Sequence, residues 1–134
     1  MIQSLFMFSD WGLLVLRIVL GAILIAHGWP KMKDLKRTAE NFEMMDFVPG
    51  MFWGTLVALV EFVGGIFLVV GFFTQIIAFM LAIQFFVVVV KVKWGRGFVE
   101  GYEFELLIAA VACMFALVGS GAWGFDQIFN ISIL

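Results

Sequence analysis

The sequence contains one cysteine and one histidine, and each scarcity removes a class of chemistry. Cys113 alone supports no disulfide framework, no cysteine metal site and no iron–sulfur cluster. His27 alone cannot supply a bis-histidine haem within a subunit, and pairing it with Glu61 or Glu105 lacks any close metal-ligand spacing. No metal centre is expected. Charge is scarce as well: 13% of residues are charged and the net charge is −2, with a pI near 5.2. A nucleic-acid partner, which needs a basic face, is therefore not expected. Gly119-Ser120-Gly121 follows a helical run rather than a strand, so it is no phosphate-cradling loop. No Ser/His/Asp or Cys/His set stands out for nucleophilic catalysis. The first residues lack a basic n-region and a small-residue cleavage site, which predicts a retained helix rather than a removed signal.

What the chain has is apolar length. It is 64% hydrophobic, with 17 Phe and 8 Met among 134 residues, and too little polar surface to cover a water-soluble core. Runs over about residues 11–28, 52–72, 75–91 and 103–119 suit helices crossing the hydrocarbon core. These features predict an all-α integral membrane protein: a four-transmembrane-helix antiparallel bundle forming a single domain over residues 1–134. His27-Gly28-Trp29-Pro30 predicts the end of the first span. The second stops at Gly71, and Gly95-Arg96-Gly97 separates the third from the fourth. In the first loop, Leu35, Ala39, Phe42 and Met45 share one helical face. A short amphipathic interfacial helix is expected there, as a surface anchor or a moving lid.

Lysine and arginine lie in two loops. Lys31, Lys33, Lys36 and Arg37 occupy the first, and Lys91, Lys93 and Arg96 the third. The positive-inside rule puts both loops in the cytoplasm and both termini outside.

Ionisable groups within such spans are expensive, about 2.5–3.5 kcal/mol at the bilayer centre, so each needs a partner or a use. Counting from the span ends aligns Gly28 with Phe52 and brings Arg17 and Glu61 within about 3 Å in depth. An Arg17–Glu61 meeting is thus predicted, as a structural ion pair or as a ligand or proton site. His27, Glu105 and Lys31 form a second group nearer the basic loops, with Gln84 between the two levels. The faces agree: Arg17, Gly21, Leu24 and Gly28 make one stripe, Glu61, Gly64, Gly65 and Leu68 another. Glu105, Ala109, Ala112, Ala116 and Gly119 make a third, and small residues let helices approach closely. Bulky stretches such as residues 85–90 are left mostly for lipid, although the many Phe and Met side chains suit an isoprenoid tail too. The candidate ligand or proton-relay residues are Arg17, His27, Lys31, Glu61, Gln84 and Glu105; no catalytic residue is assigned.

The order of several motifs resembles the DoxX/DoxD-like family of small four-helix membrane proteins. They are Leu16-Arg17-Ile18 with Gly21, His27-Gly28-Trp29-Pro30-Lys31, Phe47-Val48-Pro49 and Glu61-Phe62-Val63-Gly64-Gly65. Gly71-Phe72-Phe73-Thr74, Glu105-Leu106-Leu107 and Gly119-Ser120-Gly121 with Asp126 complete the set. Gly124 departs from the pattern, standing where a serine is expected. The resemblance implies a multi-pass protein of a prokaryotic cytoplasmic (inner) membrane, linked to quinone-dependent oxidoreductases or redox-stress complexes. Three functions follow as expectations. The first is an accessory subunit, rather than an autonomous enzyme, that binds a quinone or relays protons for a soluble or membrane redox partner. The second is a small-solute or ion pathway, which requires an oligomer; a homo-oligomer surrounded by lipid is the expected state. The third is a structural or assembly protein with no chemistry of its own.

Overall fold

The structure, a computed structural model, describes residues 2–131. Six α-helices follow one another: α1 (Ile2–Lys33), α2 (Leu35–Met44), α3 (Gly50–Val70), α4 (Thr74–Val87), α5 (Glu103–Val118) and α6 (Phe125–Ile128). After α4 the chain passes through a π-helical turn (Val88–Lys93), a 3-10 turn (Trp94–Arg96) and a second π-helical turn (Phe98–Tyr102) before α5 begins. Among the described residues there is no strand. Four segments, Gln3–Lys33, Gly50–Val70, Thr74–Arg96 and Phe98–Val118, are long and apolar enough to cross a membrane. The protein is all-α and built for lipid.

The three predicted stripes are buried, except that Ala116 and Gly119 at the end of the third are only half-buried. Arg17, Gly21, Leu24 and Gly28 are buried on α1; Glu61, Gly64, Gly65 and Leu68 on α3; and Glu105, Ala109 and Ala112 on α5. Residues 85–90 divide differently from the expectation. Phe85 and Val89, about one turn apart on the same face, enter the core, while Phe86 and Val90, each about 100° further round the helix, remain exposed.

Two expectations about α1 fail, and both failures matter for the site. The helix does not end at Gly28-Trp29-Pro30 but runs through Pro30 to Lys33. Proline lacks one amide hydrogen, and so near a helix end only the bond to the Ala26 carbonyl is lost. Gly28 is there for contact: a Cβ on it would fall 2.5 Å from the Phe62 backbone nitrogen. The register is also displaced. Gly28 packs on Phe62 rather than level with Phe52, a slip of about 15 Å at 1.5 Å per residue. The cause is α2, which covers the first turns of α3 in place of α1: Gly50 abuts Ala39, and Gly54 abuts Thr38. Asp34 caps α2 through the Arg37 amide at 3.0 Å, and the Thr38 hydroxyl donates to the Lys31 carbonyl at 3.1 Å. The predicted amphipathic helix therefore exists, with Lys36, Arg37, Glu40 and Glu43 exposed, but it packs as part of the bundle wall.

Gly28→Ala should lower thermal stability in detergent by about 1–3 kcal/mol, because the added methyl meets backbone rather than a movable side chain. Gly12→Ala, with nothing within 4 Å, is the matched control and should be silent.

Candidate functional site

The shifted register gives Glu61 a different partner from the one predicted. Extension of α1 beyond Gly28 carries Lys31 to the level of α3 where Glu61 lies, and Lys31 Nζ donates to Glu61 Oε2 at 2.5 Å. From α4, Gln84 Nε2 donates to Glu61 Oε1 at 2.7 Å. The carboxylate is 2% exposed and has both oxygens engaged, which is what a buried charge in an apolar wall requires. Three of the six candidate residues thus form one cluster, each contributed by a different helix.

This cluster opens into a cavity of about 450 Å³, within the usual size of small-molecule sites. Its walls are almost wholly apolar: Phe42 and Met45 from α2, Phe47 from the following loop, Trp53, Leu56 and Val60 from α3, Met80, Ile83 and Val87 from α4. Lys31, Glu61, Gln84 and Lys93 are its polar residues. An apolar chamber with a few convergent polar groups suits a hydrophobic ligand with hydrogen-bonding oxygens.

Lys93 ends the π-helical turn, and local widening of a helix is common where a side chain must be re-aimed at a site. It pairs with Glu105 Oε1, leaving Glu105 Oε2 buried and without a hydrogen-bond partner. Glu105 sits in the first turn of α5, where the helix dipole also favours a carboxylate.

Arg17 does not meet Glu61. Its side chain is fully buried, at 1% exposure, but it lies at the opposite end of α3, against Gly71. There Nη1 donates to the Ser120 carbonyl at 2.5 Å and Nη2 to the Trp123 carbonyl at 3.2 Å, while Nε is unpartnered. The segment after α5 folds back over the bundle to supply those carbonyls. Asp126 fixes it in place, accepting the Phe73 and Thr74 amides at 2.7 Å each and so capping α4. Its carboxylate also acts electrostatically on Arg17. The glycine at 124 fits this packing: a Cβ there would lie 2.3 Å from the Ser120 side chain and 2.8 Å from Arg17 Nη1. In this chain Ser120 occupies the space a residue-124 side chain would need.

His27 is separate from both groups. It is exposed, its Nδ1 lies 2.8 Å from the Ile23 carbonyl, and its ring lies beside Phe104. The expected grouping of His27, Lys31 and Glu105 is therefore replaced by two pairs, Lys31–Glu61 and Lys93–Glu105. Sequence reasoning missed Ser120, Trp123 and Asp126 as the arginine's surroundings, and Lys93 as a pocket residue. Among the described residues, no group of three or more His, Cys, Asp and Glu side chains is placed to hold a metal.

A larger cavity, about 600 Å³, lies at the Arg17 end beside Ser9, Asp10, Gln75 and Asp126. Asp126 already accepts two amides there, so the smaller chamber is the better candidate site.

Comparison with known proteins agrees with the motif order. A family profile described as DoxX matches residues 12–94. The chain is 32% identical over 127 residues to a protein of Escherichia coli (strain K12) named "Inner membrane protein YqjF", covering 91% of this chain and 95% of that one. It is 28% identical over 115 residues to "Putative oxidoreductase CatD" of Bacillus subtilis (strain 168), covering 86% and 84% respectively. No solved structure matches.

Proposed function

We propose, for a chain that belongs to the DoxX family, that it is a membrane subunit which holds a quinone-like, lipid-soluble carrier for a partner oxidoreductase. The observation that carries this reading is the apolar chamber with Lys31, Glu61 and Gln84 gathered on one wall. The fit is chemical. Aromatic and aliphatic walls suit a planar ring and an isoprenoid tail, and the Lys31 ammonium uses one of its three donors on Glu61, leaving donors for a ring oxygen. Once bound, a quinone supplies the redox couple; this chain supplies position and a proton-bearing Lys–Glu pair at the head group. Electrons come from the partner. The name of the Bacillus subtilis relative, "Putative oxidoreductase CatD", supports the association. Arg17 belongs on this reading to the lock at the far end of the bundle, and the basic loops face the cytoplasm with both termini outside.

Trp53 lines the chamber, which gives a direct test. Menadione added to purified protein in nanodiscs should quench tryptophan fluorescence saturably. Trp53→Phe should remove most of that signal, and the chamber-filling Val57→Trp should abolish the saturable part. Quenching that rises linearly with menadione and ignores Val57→Trp would mean partitioning into lipid, and the reading would fail.

A further inference from the structure

The chamber has a second ammonium group that the quinone reading does not use. Lys31 and Lys93 both line it, with side chains 30% and 27% exposed respectively. Each is held from behind by its own carboxylate, Glu61 for Lys31 and Glu105 for Lys93. A lysine carries three donors, and each spends one on that carboxylate, so each can offer hydrogen to a bound oxygen without losing its counter-charge. They come from different segments, Lys31 from the end of α1 and Lys93 from the π-helical turn. Gln84, level with the Lys31–Glu61 pair, and Lys93 are nine residues apart on one continuous helical path, a backbone rise of at most about 13.5 Å, and the long lysine side chains can adjust the gap between their ammonium groups. A ring bearing two opposed carbonyls, each C=O about 1.23 Å long, spans roughly 11 Å between donors placed about 2.8 Å beyond its oxygens.

We infer that the site grips its ligand at both ends: Lys31 donates to one oxygen of a planar para-dione and Lys93 to the other, across the apolar middle of the chamber. The inference rests on the quinone reading and narrows it to ligands with two acceptors on opposite sides of one ring. Lys93 thereby becomes a binding residue, with Glu105 positioning it.

Two probes separate the cases: menadione, with two opposed carbonyls, and 1-tetralone, a similar bicyclic ketone with one. In full-length protein in nanodiscs, read by tryptophan quenching, Lys93→Met should weaken menadione about tenfold, the size of a lost charged hydrogen bond. It should leave 1-tetralone binding within twofold. Lys31→Met should weaken both. Because Lys93→Met strands the Glu105 carboxylate, the pair Lys93→Met with Glu105→Leu repeats the measurement without a buried unpaired charge and should give the same tenfold loss. If neither Lys93 variant weakens menadione while Lys31→Met does, the two-ended grip is wrong and the quinone reading stands. Equal losses for both probes would make Lys93 a shaper of the cavity and also overturn the inference. Absence of saturable menadione binding in the unmodified protein removes both readings together.

Discussion

Replacing Arg17 with methionine should destabilise the protein by about 3–5 kcal/mol while leaving menadione binding by the folded fraction unchanged. The size follows from what the guanidinium leaves behind. The Ser120 carbonyl loses its donor at a buried position and the Trp123 carbonyl at a part-buried one, with a buried unsatisfied group costing about 1–3 kcal/mol and the second less. Asp126 loses the positive charge that acts on it. Asp126 in turn caps α4 and ties residues 119–131 to the α3–α4 turn, its own amide donating to the Gly71 carbonyl at 2.9 Å, so the damage spreads to the end of three helices. Thermal unfolding in detergent gives the stability and tryptophan quenching gives the binding. The charge swap Arg17→Glu with Glu61→Arg should rescue neither, because the two residues have no partner in common. An Arg17→Met protein of native stability that no longer binds menadione would move the arginine from the lock to the ligand site.

That arginine also marks where sequence ceased to be informative. The spans and their inward faces were legible because apolar length and small-residue spacing are local signals, and Gly21, Gly28, Gly64 and Gly65 are buried as their spacing requires. Depth was not legible. It depended on taking Gly28 and Pro30 as a helix end, whereas α1 continues to Lys33 and α2 takes over the start of α3. A shift of about 15 Å then separates two charges that counting had brought level. The arginine's true acceptors are main-chain carbonyls of an irregular segment, and any residue type offers a carbonyl. In the sequence this segment is marked only by the Gly119-Ser120-Gly121 and Asp126 motif, which does not say that the chain folds back; the positive φ of Gly119 and Gly121 belongs to the structure. Lys93 was hidden for another reason: beside Lys91 and Arg96 it reads as loop charge, and only the π-helical turn directs it into the chamber. Glu61 and Glu105 lie on faces that small-residue spacing turns inward and are buried, whereas their pairing with Lys31, Gln84 and Lys93 depends on the three-dimensional register.

Glu61 carries the second large effect, and its variants separate a structural pair from a binding one. Glu61→Leu should cost about 1–3 kcal/mol, below the range for a fully buried pair, because Lys31 is 30% exposed and can swing its ammonium towards water. Gln84 is likewise only part-buried where it meets Glu61 and lines the chamber, which keeps the cost of its freed amide small. Adding Lys31→Met to Glu61→Leu replaces the pair with apolar groups of similar length, and stability should return to that of the unmodified protein or exceed it. Binding should not return. Menadione affinity should fall at least a hundredfold in the double variant, since it has lost both the donor that meets the ring oxygen and the carboxylate that holds that donor in place. The two readouts are thus expected to part company: stability restored, quenching lost. A double variant that is stable and still binds menadione as tightly as the unmodified chain would reduce Lys31 and Glu61 to a helix-pairing device, and the chamber would then hold its contents by shape alone.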